Sequence, residues 1–415
     1  MRILHLSWEY PPVIYGGLGR HVHALTRTQA DLGHDVAVLT QAAEGLPSDE
    51  IVDGVRVIRI PNDAPYVSLD EGHLIDWVMG FNSGLSRAGV QVFRGWQPEV
   101  VHGHDWLVAH AGVLLRDALD VPYVSTMHAT EAGRHQGWLP SELSKSIHGI
   151  EWWSCRQAAR VICCSAHMRS EVHRLFETPQ DRIDVIPNGI DPQGWQMSGQ
   201  QRREARERNP GPLVVFTGRL EWEKGVHTLI DALPSVRRAV PGARIVLAGR
   251  GSAEQRLRDQ VRAKRLGRQV TFAGWMPQDA LRALVAAADA VVVPSIYEPF
   301  GIVALEAAVL GAPLVVARTG GLTEIVSDGR TGWTFEPGNA ADLAAALTDA
   351  LTHPQRARSR ARFARQRVER DFGWAVIAQR TEAAYRDAQR REVAERVGPT
   401  RPILRPGNLF TGALA

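Results

Sequence analysis

Hydrophobic positions along this chain alternate between two spacings. Short β-branched runs bounded by Gly, Pro, Asn or Asp predict buried strands, and between them apolar residues recur every three or four positions, as on one face of a helix. Residues 2–8 read as a first strand. A loop follows, then a helix carrying Leu18, Val22, Leu25 and Leu32 on one face and ended by Gly33, then a strand over 35–40. Residues 51–60 alternate around Asp53-Gly54 as a hairpin does, and 73–94 form a long amphipathic helix. Strands are predicted at 99–104 and from Val121 on, both ending in polar residues. Pro187-Asn188-Gly189 and the polar, Arg-rich residues up to Pro212 punctuate the chain, and they predict a domain boundary near 190–210.

Beyond that boundary the pattern restarts. Strands are expected at 212–217, 243–249, 270–275, 290–293 and 314–317, with helices at 226–233, 278–288, 302–310, 339–351 and 355–371. Strand and helix alternating in each half, with a glycine-bearing loop early in both, predict an α/β fold of two doubly wound, Rossmann-like domains facing across a cleft. The expected divisions are 1–190, 191–371, a helix over 372–395, and a loose Pro-, Gly- and Arg-rich tail over 396–415.

Composition narrows the picture only slightly. At 415 residues two domains are the natural reading, and 44% hydrophobic with 22% charged residues is the balance of a soluble globular protein. A net charge of +3 gives no argument for nucleic acid, and the Arg clusters at 201–206 and 356–370 read as solvated helix faces. With no signal-peptide pattern and no apolar run as long as a membrane span, a cytoplasmic protein is expected, and membrane association, though open, is not indicated. Cys155, Cys163 and Cys164 read as buried small residues, neither a disulfide nor a metal set.

The chemistry concentrates in a few loops. Between the strand at 290–293 and the helix that follows it stand Glu298-Pro299-Phe300-Gly301 and then Glu306. The first amides of a helix lack intrahelical acceptors, so the N–H groups of Gly301, Ile302 and Val303 can hold an anion. Glu298 in the turn and Glu306 within the helix could face different parts of one ligand; alternatively both are solvated and the glycine only makes a turn. In the first half, Gly16-Gly17-Leu18-Gly19 lies at a loop-to-helix junction, where backbone amides suit a phosphate, but it is not the dinucleotide fingerprint. Arg219 and Lys224, around the loop that opens the second half, can pinch a pyrophosphate as a fork and a point charge. His102, His104 and Asp105 stand at a strand end, the usual ligand edge of a parallel sheet. A metal is not expected there, because the two imidazoles are two residues apart and no clear third ligand set follows.

Glu298-Pro-Phe-Gly301 followed by Glu306 resembles the paired-glutamate motif of retaining glycosyltransferases with the GT-B fold, the group that includes bacterial glycogen synthases. Gly218-Arg219-Leu220 with Glu223-Lys224-Gly225 resembles the diphosphate clamp of that family, and Pro187-Asn188-Gly189-Ile190-Asp191 its interdomain link. The resemblance implies that Glu298 borders the donor sugar, Glu306 binds the ribose, Gly16 and Gly17 cap the donor phosphates, and His104 contacts a sugar hydroxyl. It implies further that the helix near 372–395 crosses back to the first domain, and that Glu9, His128 and Glu131 lie on the acceptor side. The expected activity is transfer of a glucosyl unit from a nucleotide sugar to a glucan with retained configuration. No cofactor is expected beyond the nucleotide sugar itself, and Arg219, Lys224 and the helix amides stand in for a metal, since no Asp-x-Asp occurs. Alternatives are a lipid-linked acceptor, as in phosphatidylinositol mannosyltransferases, a nucleotide-sugar epimerase of the same fold, or a nucleotide-sugar sensor.

Overall fold

The computed structural model describes residues 1–93 and 95–397, with side chains up to residue 392. Beyond residue 397 the tail expected over 396–415 lies outside the described residues. Two sheets organise the chain. The first contains β1 (Arg2–Leu6), β2 (Asp35–Gln41), β3 (Asp49–Val52), β4 (Val55–Ile60), β5 (Val100–His104), β6 (Tyr123–Met127), β7 (Arg160–Cys163) and β8 (Ile183–Val185). Their order is β3-β4-β2-β1-β5-β6-β7-β8, parallel except for the β3–β4 hairpin. The second contains β9 (Leu213–Thr217), β10 (Arg244–Ala248), β11 (Val270–Gly274), β12 (Ala290–Val293), β13 (Leu314–Ala317) and β14 (Trp333–Phe335), ordered β11-β10-β9-β12-β13-β14 and wholly parallel.

The sequence pattern explains this layering. Parallel strands joined by helical crossovers are covered on both faces, so they read as unbroken apolar runs. Ala290-Val-Val-Val293 and Leu314-Val-Val-Ala317 are buried at every position. In each sheet the order reverses at one place, between β1 and β5 in the first and between β9 and β12 in the second. A crevice opens at such a reversal, at the carboxyl ends of the strands. The loops singled out from sequence follow β1, β5, β9 and β12.

Two helices border the junction of the halves, and the second crosses it. Gly199–Glu207, closed by a Ser198–Gln201 capping box, packs on the helix Gln278–Ala286, and Arg206 pairs with Asp289 at 2.9 Å. Trp374–Val397 lies against the first sheet and the helix Gly17–Asp31. It is fixed there by Tyr385, whose hydroxyl reaches His102 at 2.7 Å, and by Gln389, which donates to the carbonyl of Glu99 at 3.3 Å.

The lobes are in direct contact. Ser165 donates to the carbonyl of Pro299 at 2.7 Å, and the Tyr297 hydroxyl donates to Glu171 at 2.9 Å while accepting from the amide of Thr130 at 3.2 Å. One apolar core runs through the contact, from Cys163 and Met168 to Phe300 and Ala304. All three cysteines are buried and unpaired, and no helix among the described residues is long and apolar enough to cross a membrane. One detail departs from the sequence reading: Leu32 caps its helix from outside and is exposed.

Candidate active site

The second lobe builds its part of the site from three loops locked together at close range. A turn over Trp222–Lys224 ends at Gly225 in the left-handed region (φ 66°), where a Cβ would stand 1.9 Å from the carbonyl oxygen of Pro294. Only glycine fits there, and the fit presses the Lys224 loop onto the loop after β12. The amide of Ile296 then donates to the carbonyl of Glu223 at 2.8 Å. Beneath the Glu298 turn runs Gly320-Gly321, where a Cβ on Gly320 (φ 51°) would meet the carbonyl oxygen of Glu298 at 1.8 Å.

That packing brings Lys224 Nζ to 3.0 Å from Glu298 Oε2. Ser295 Oγ donates to the same oxygen at 3.0 Å, so Oε1 of Glu298 has no protein partner among the described residues. Both charged side chains are mostly enclosed, at 19% and 14% exposure, and an ion pair so placed is screened far less than one at the surface. Arg219 stands five residues before Lys224, half exposed and pairing with Glu223 at 3.3 Å.

Gly301 opens the helix Ile302–Val309 with φ 108°. The amides of Gly301, Ile302 and Val303 donate to no other protein group among the described residues, as the first amides of a helix do, and so are free for an acceptor from outside the chain. Glu306 lies one turn further and is 5% exposed. Its carboxylate meets Arg20 of the first lobe at 3.1 Å, and burial raises its pKa against the opposing pull of that guanidinium.

The first lobe adds its own loops. Gly17 lies against Ile302, at a distance where a Cβ would be 3.0 Å from Cδ1, so the two glycine-bearing loops face each other. The amide of Gly16, expected to be available to a phosphate, is already used: it and the amide of Tyr15 donate to Glu9 Oε2 at 2.9 and 2.8 Å. Glu9, read as an acceptor-side group, is 4% exposed and serves as the strut of this loop. Glu131 accepts from Ser144 at 2.8 Å at the start of a short helix.

His104 departs most from expectation. It is fully buried, and both ring nitrogens have partners: His5 Nδ1 at 3.1 Å and His128 Nε2 at 3.2 Å. The imidazole of this group that is not fully buried is His128, whose Nδ1 has no protein partner among the described residues. Asp105 holds the backbone of His128, accepting its N–H at 2.8 Å from a strained backbone at φ 63°. Burial pushes the Asp105 carboxyl up to about 6.

No clear third ligand set follows His102 and His104 in the sequence, yet the fold gathers further imidazoles around them. Parallel register sets His5 opposite His102, and the helix after Gly17 brings His21, so two triads place one nitrogen each within 4.8 Å: His5, His102, His104 and His21, His104, His128. His102 is saturated, bonded to Tyr385 and to Thr126 at 2.7 Å each. Burial holds His5 and His128 near pKa 4 and His21, His102 and His104 well below the usual histidine range. All five rings are therefore neutral at neutral pH.

Two Rossmann-like lobes, each with its loops gathered at the sheet reversal, and a lysine–glutamate pair beside the start of the helix Ile302–Val309 have the architecture of a GT-B glycosyltransferase. The chain belongs to the glycosyltransferases: residues 198–367 match Glycosyl transferases group 1 and residues 15–193 match Glycosyltransferase Family 4. It is 45% identical over 404 residues to a protein named Glycogen synthase from Mycobacterium tuberculosis (strain ATCC 25618 / H37Rv), covering 94% of this chain and 96% of that one. It is 31% identical over 410 residues to Alpha-maltose-1-phosphate synthase of Mycolicibacterium smegmatis, covering 93% of this chain and 99% of that protein. Among solved structures, a sucrose-phosphate synthase from Thermosynechococcus elongatus superimposes with a TM-score of 0.81 at 26% identity, over 93% of this chain and 98% of that one.

Proposed function

We propose that this enzyme transfers a glucosyl unit from a nucleotide diphosphate-glucose to a hydroxyl of an α-glucan, with the anomeric configuration retained and without a metal. The bond from C1 to the diphosphate breaks as a bond from C1 to the acceptor oxygen forms on the same face. Negative charge appears on the departing diphosphate, whose oxygen takes the proton that the acceptor hydroxyl gives up.

The observation that carries this reading is the Lys224–Glu298 pair at 3.0 Å, beside free amides at the start of the helix Ile302–Val309. Lys224, Arg219 and those amides are fixed before the charge develops, and such preorganised groups are worth about 10²–10³ in rate each. Glu298 keeps one carboxylate oxygen free for the donor sugar. Glu306 and the amide of Gly17 complete the donor site, on the ribose and phosphate respectively, and His104 acts on the sugar through His128. The similarity to Glycogen synthase supports the choice of glucose and glucan.

Incubation with UDP-, ADP- and GDP-glucose and a panel of glucans, with product analysis, tests it. Glucose 1-phosphate belongs in the panel because of the similarity to Alpha-maltose-1-phosphate synthase. Lys224→Ala and Glu298→Ala are each expected to lower turnover at least about 10²-fold. Near-wild-type turnover in either removes that residue from the mechanism. Release of an isomerised nucleotide sugar with no acceptor present points to an epimerase instead.

A further inference from the structure

We propose that Gln29, His5 and His104 form a tautomer relay that holds the outer nitrogen of His128 free of its proton, so that it faces the cleft as a hydrogen-bond acceptor. The inference rests on the glucosyl-transfer reading for its purpose, but its structure stands on the hydrogen bonds alone. Each neutral imidazole has one N–H and one lone pair, so a bond at one nitrogen dictates what the other can do.

The relay starts at the crossing helix. Gln29 is fully buried; its Nε2 donates to the Tyr385 hydroxyl at 3.2 Å, which leaves its Oε1 to accept from His5 Nε2 at 2.8 Å. His5 Nδ1 is then a lone pair and accepts from His104 Nε2 at 3.1 Å. His104 Nδ1 is in turn a lone pair and accepts from His128 Nε2 at 3.2 Å. With its proton on Nε2, His128 presents a bare Nδ1.

A side branch agrees in polarity. Tyr385, accepting from Gln29, donates to His102 Nδ1 at 2.7 Å, and His102 Nε2 donates to Thr126 at 2.7 Å. Turning the Gln29 amide over would reverse every link at once and put a proton on His128 Nδ1. A mixed chain would set two N–H groups or two lone pairs face to face in a site closed to water, so the chain has one polarity or the other.

The arrangement accounts for the facing nitrogens of His5, His104 and His128 without a cation; His21, whose buried Nδ1 has no hydrogen-bond partner among the described residues, stands outside the relay. The nitrogens of His5, His104 and His128 that lie close together are spent on one another. Burial keeps the rings neutral, which the alternation of donors and acceptors requires. Gln29, His5 and His104 are thus positioning residues, and His128 is the group that meets a hydroxyl of the transferred hexose.

The test is long-range proton–nitrogen NMR on the full chain labelled with nitrogen-15 histidine, with His128 assigned from the His128→Gln spectrum. The expected result is a protonated Nε2 and a bare Nδ1 on His128. Gln29→Met, similar in size but without the amide, is expected to give a tautomer mixture at His128. Its kcat with UDP-glucose or ADP-glucose and an oligoglucan should fall about tenfold, the worth of one hydrogen bond in the transition state, with donor KM within about threefold. Gln29→Glu, whose carboxylate still accepts from His5, should restore the tautomer and most of kcat. A protonated His128 Nδ1 in the wild type overturns the relay, as does a Gln29→Met variant with wild-type tautomers and kcat, or a Gln29→Glu variant no better than Gln29→Met. So does Zn²⁺ binding to the purified chain that strips the Nε2 protons from His104 and His128. The nitrogen shifts do not depend on turnover, so a chain that transfers no glucose tells against the functional reading while the spectrum still decides the relay.

Discussion

Mild acid should weaken the first lobe out of proportion to its charge. His5, His21, His102 and His104 are each 6% exposed or less, and burial lowers the pKa of every one. A lowered imidazole pKa contributes stability that is fully present above the unfolded value of about 6.5 and is lost as pH falls toward the folded value. Between about pH 7 and pH 5 the unfolded chain takes up roughly 0.7 proton per ring while the folded rings stay neutral, a loss of about 2 kcal/mol each. Four rings give about 8 kcal/mol. Asp105 opposes this, because its carboxyl, raised to about 6, is protonated in the fold before it is in the unfolded chain, which returns about 1 kcal/mol over the same range. Glu151, buried and also raised, acts in the same direction as Asp105. The net expectation is a loss of roughly 4–6 kcal/mol, comparable with the whole stability of many domains. Urea titrations at the two pH values, followed by tryptophan fluorescence, measure it as a fall in the midpoint of the transition that unfolds the first lobe. Equal midpoints at pH 7 and pH 5 would mean that the rings ionise freely in the fold, and the buried neutral cluster would be refuted.

Three other outcomes follow from the site. Glu306→Gln removes the charge that meets Arg20 and is expected to raise donor KM about 10-fold or more with kcat changed less than about threefold, as for a group that binds ribose in ground and transition states alike; a collapse of kcat alone contradicts that role. Gly320→Ala places a Cβ 1.8 Å from the Glu298 carbonyl at φ 51°, and thermal unfolding should show a loss of at least about 2 kcal/mol together with reduced turnover; a neutral variant would mean that this loop does not brace Glu298. Turnover should persist in excess EDTA, since Lys224, Arg219 and helix amides are assigned the leaving-group charge; activity abolished by EDTA and restored by one divalent ion removes that assignment.

How far the sequence alone could reach is clearest in the contrast between Lys224 and His5. The two-lobed α/β fold was legible because parallel strands, covered on both faces, write themselves as apolar runs, and because Gly225 and Gly301 stand where loops must pass at close range. Lys224 and Glu298 were legible for the same reason: each sits in a short loop between a strand and a helix, and local spacing fixes its address at a strand end. The ion pair between them was not, since nothing local says that residues 224 and 298 meet. Arg20 escaped notice because its partner, Glu306, belongs to the other lobe and is reached only when the lobes are packed together.

The imidazole relay is assembled entirely by sheet order and register, and that is why it could not be read in advance. β5 lies beside β1 only because the order reverses there, and the register then sets His5 against His102 and His104 against Thr126. One signal was available: Ile3-Leu4-His5-Leu6 puts an imidazole in the middle of a strand that is otherwise apolar, and a buried polar side chain of that kind demands partners. His102 and His104, two apart and therefore on one face of their strand, were the matching half. The consequence reaches the crossing helix. Tyr385 bonds to Gln29 and His102 together, so the helix Trp374–Val397 does more than cover the sheet: it couples the two branches of the hydrogen-bonded chain, so that they share one polarity. On that argument Tyr385→Phe, which leaves the packing volume almost unchanged, should disturb the tautomers of His102 and His128 before it disturbs the fold.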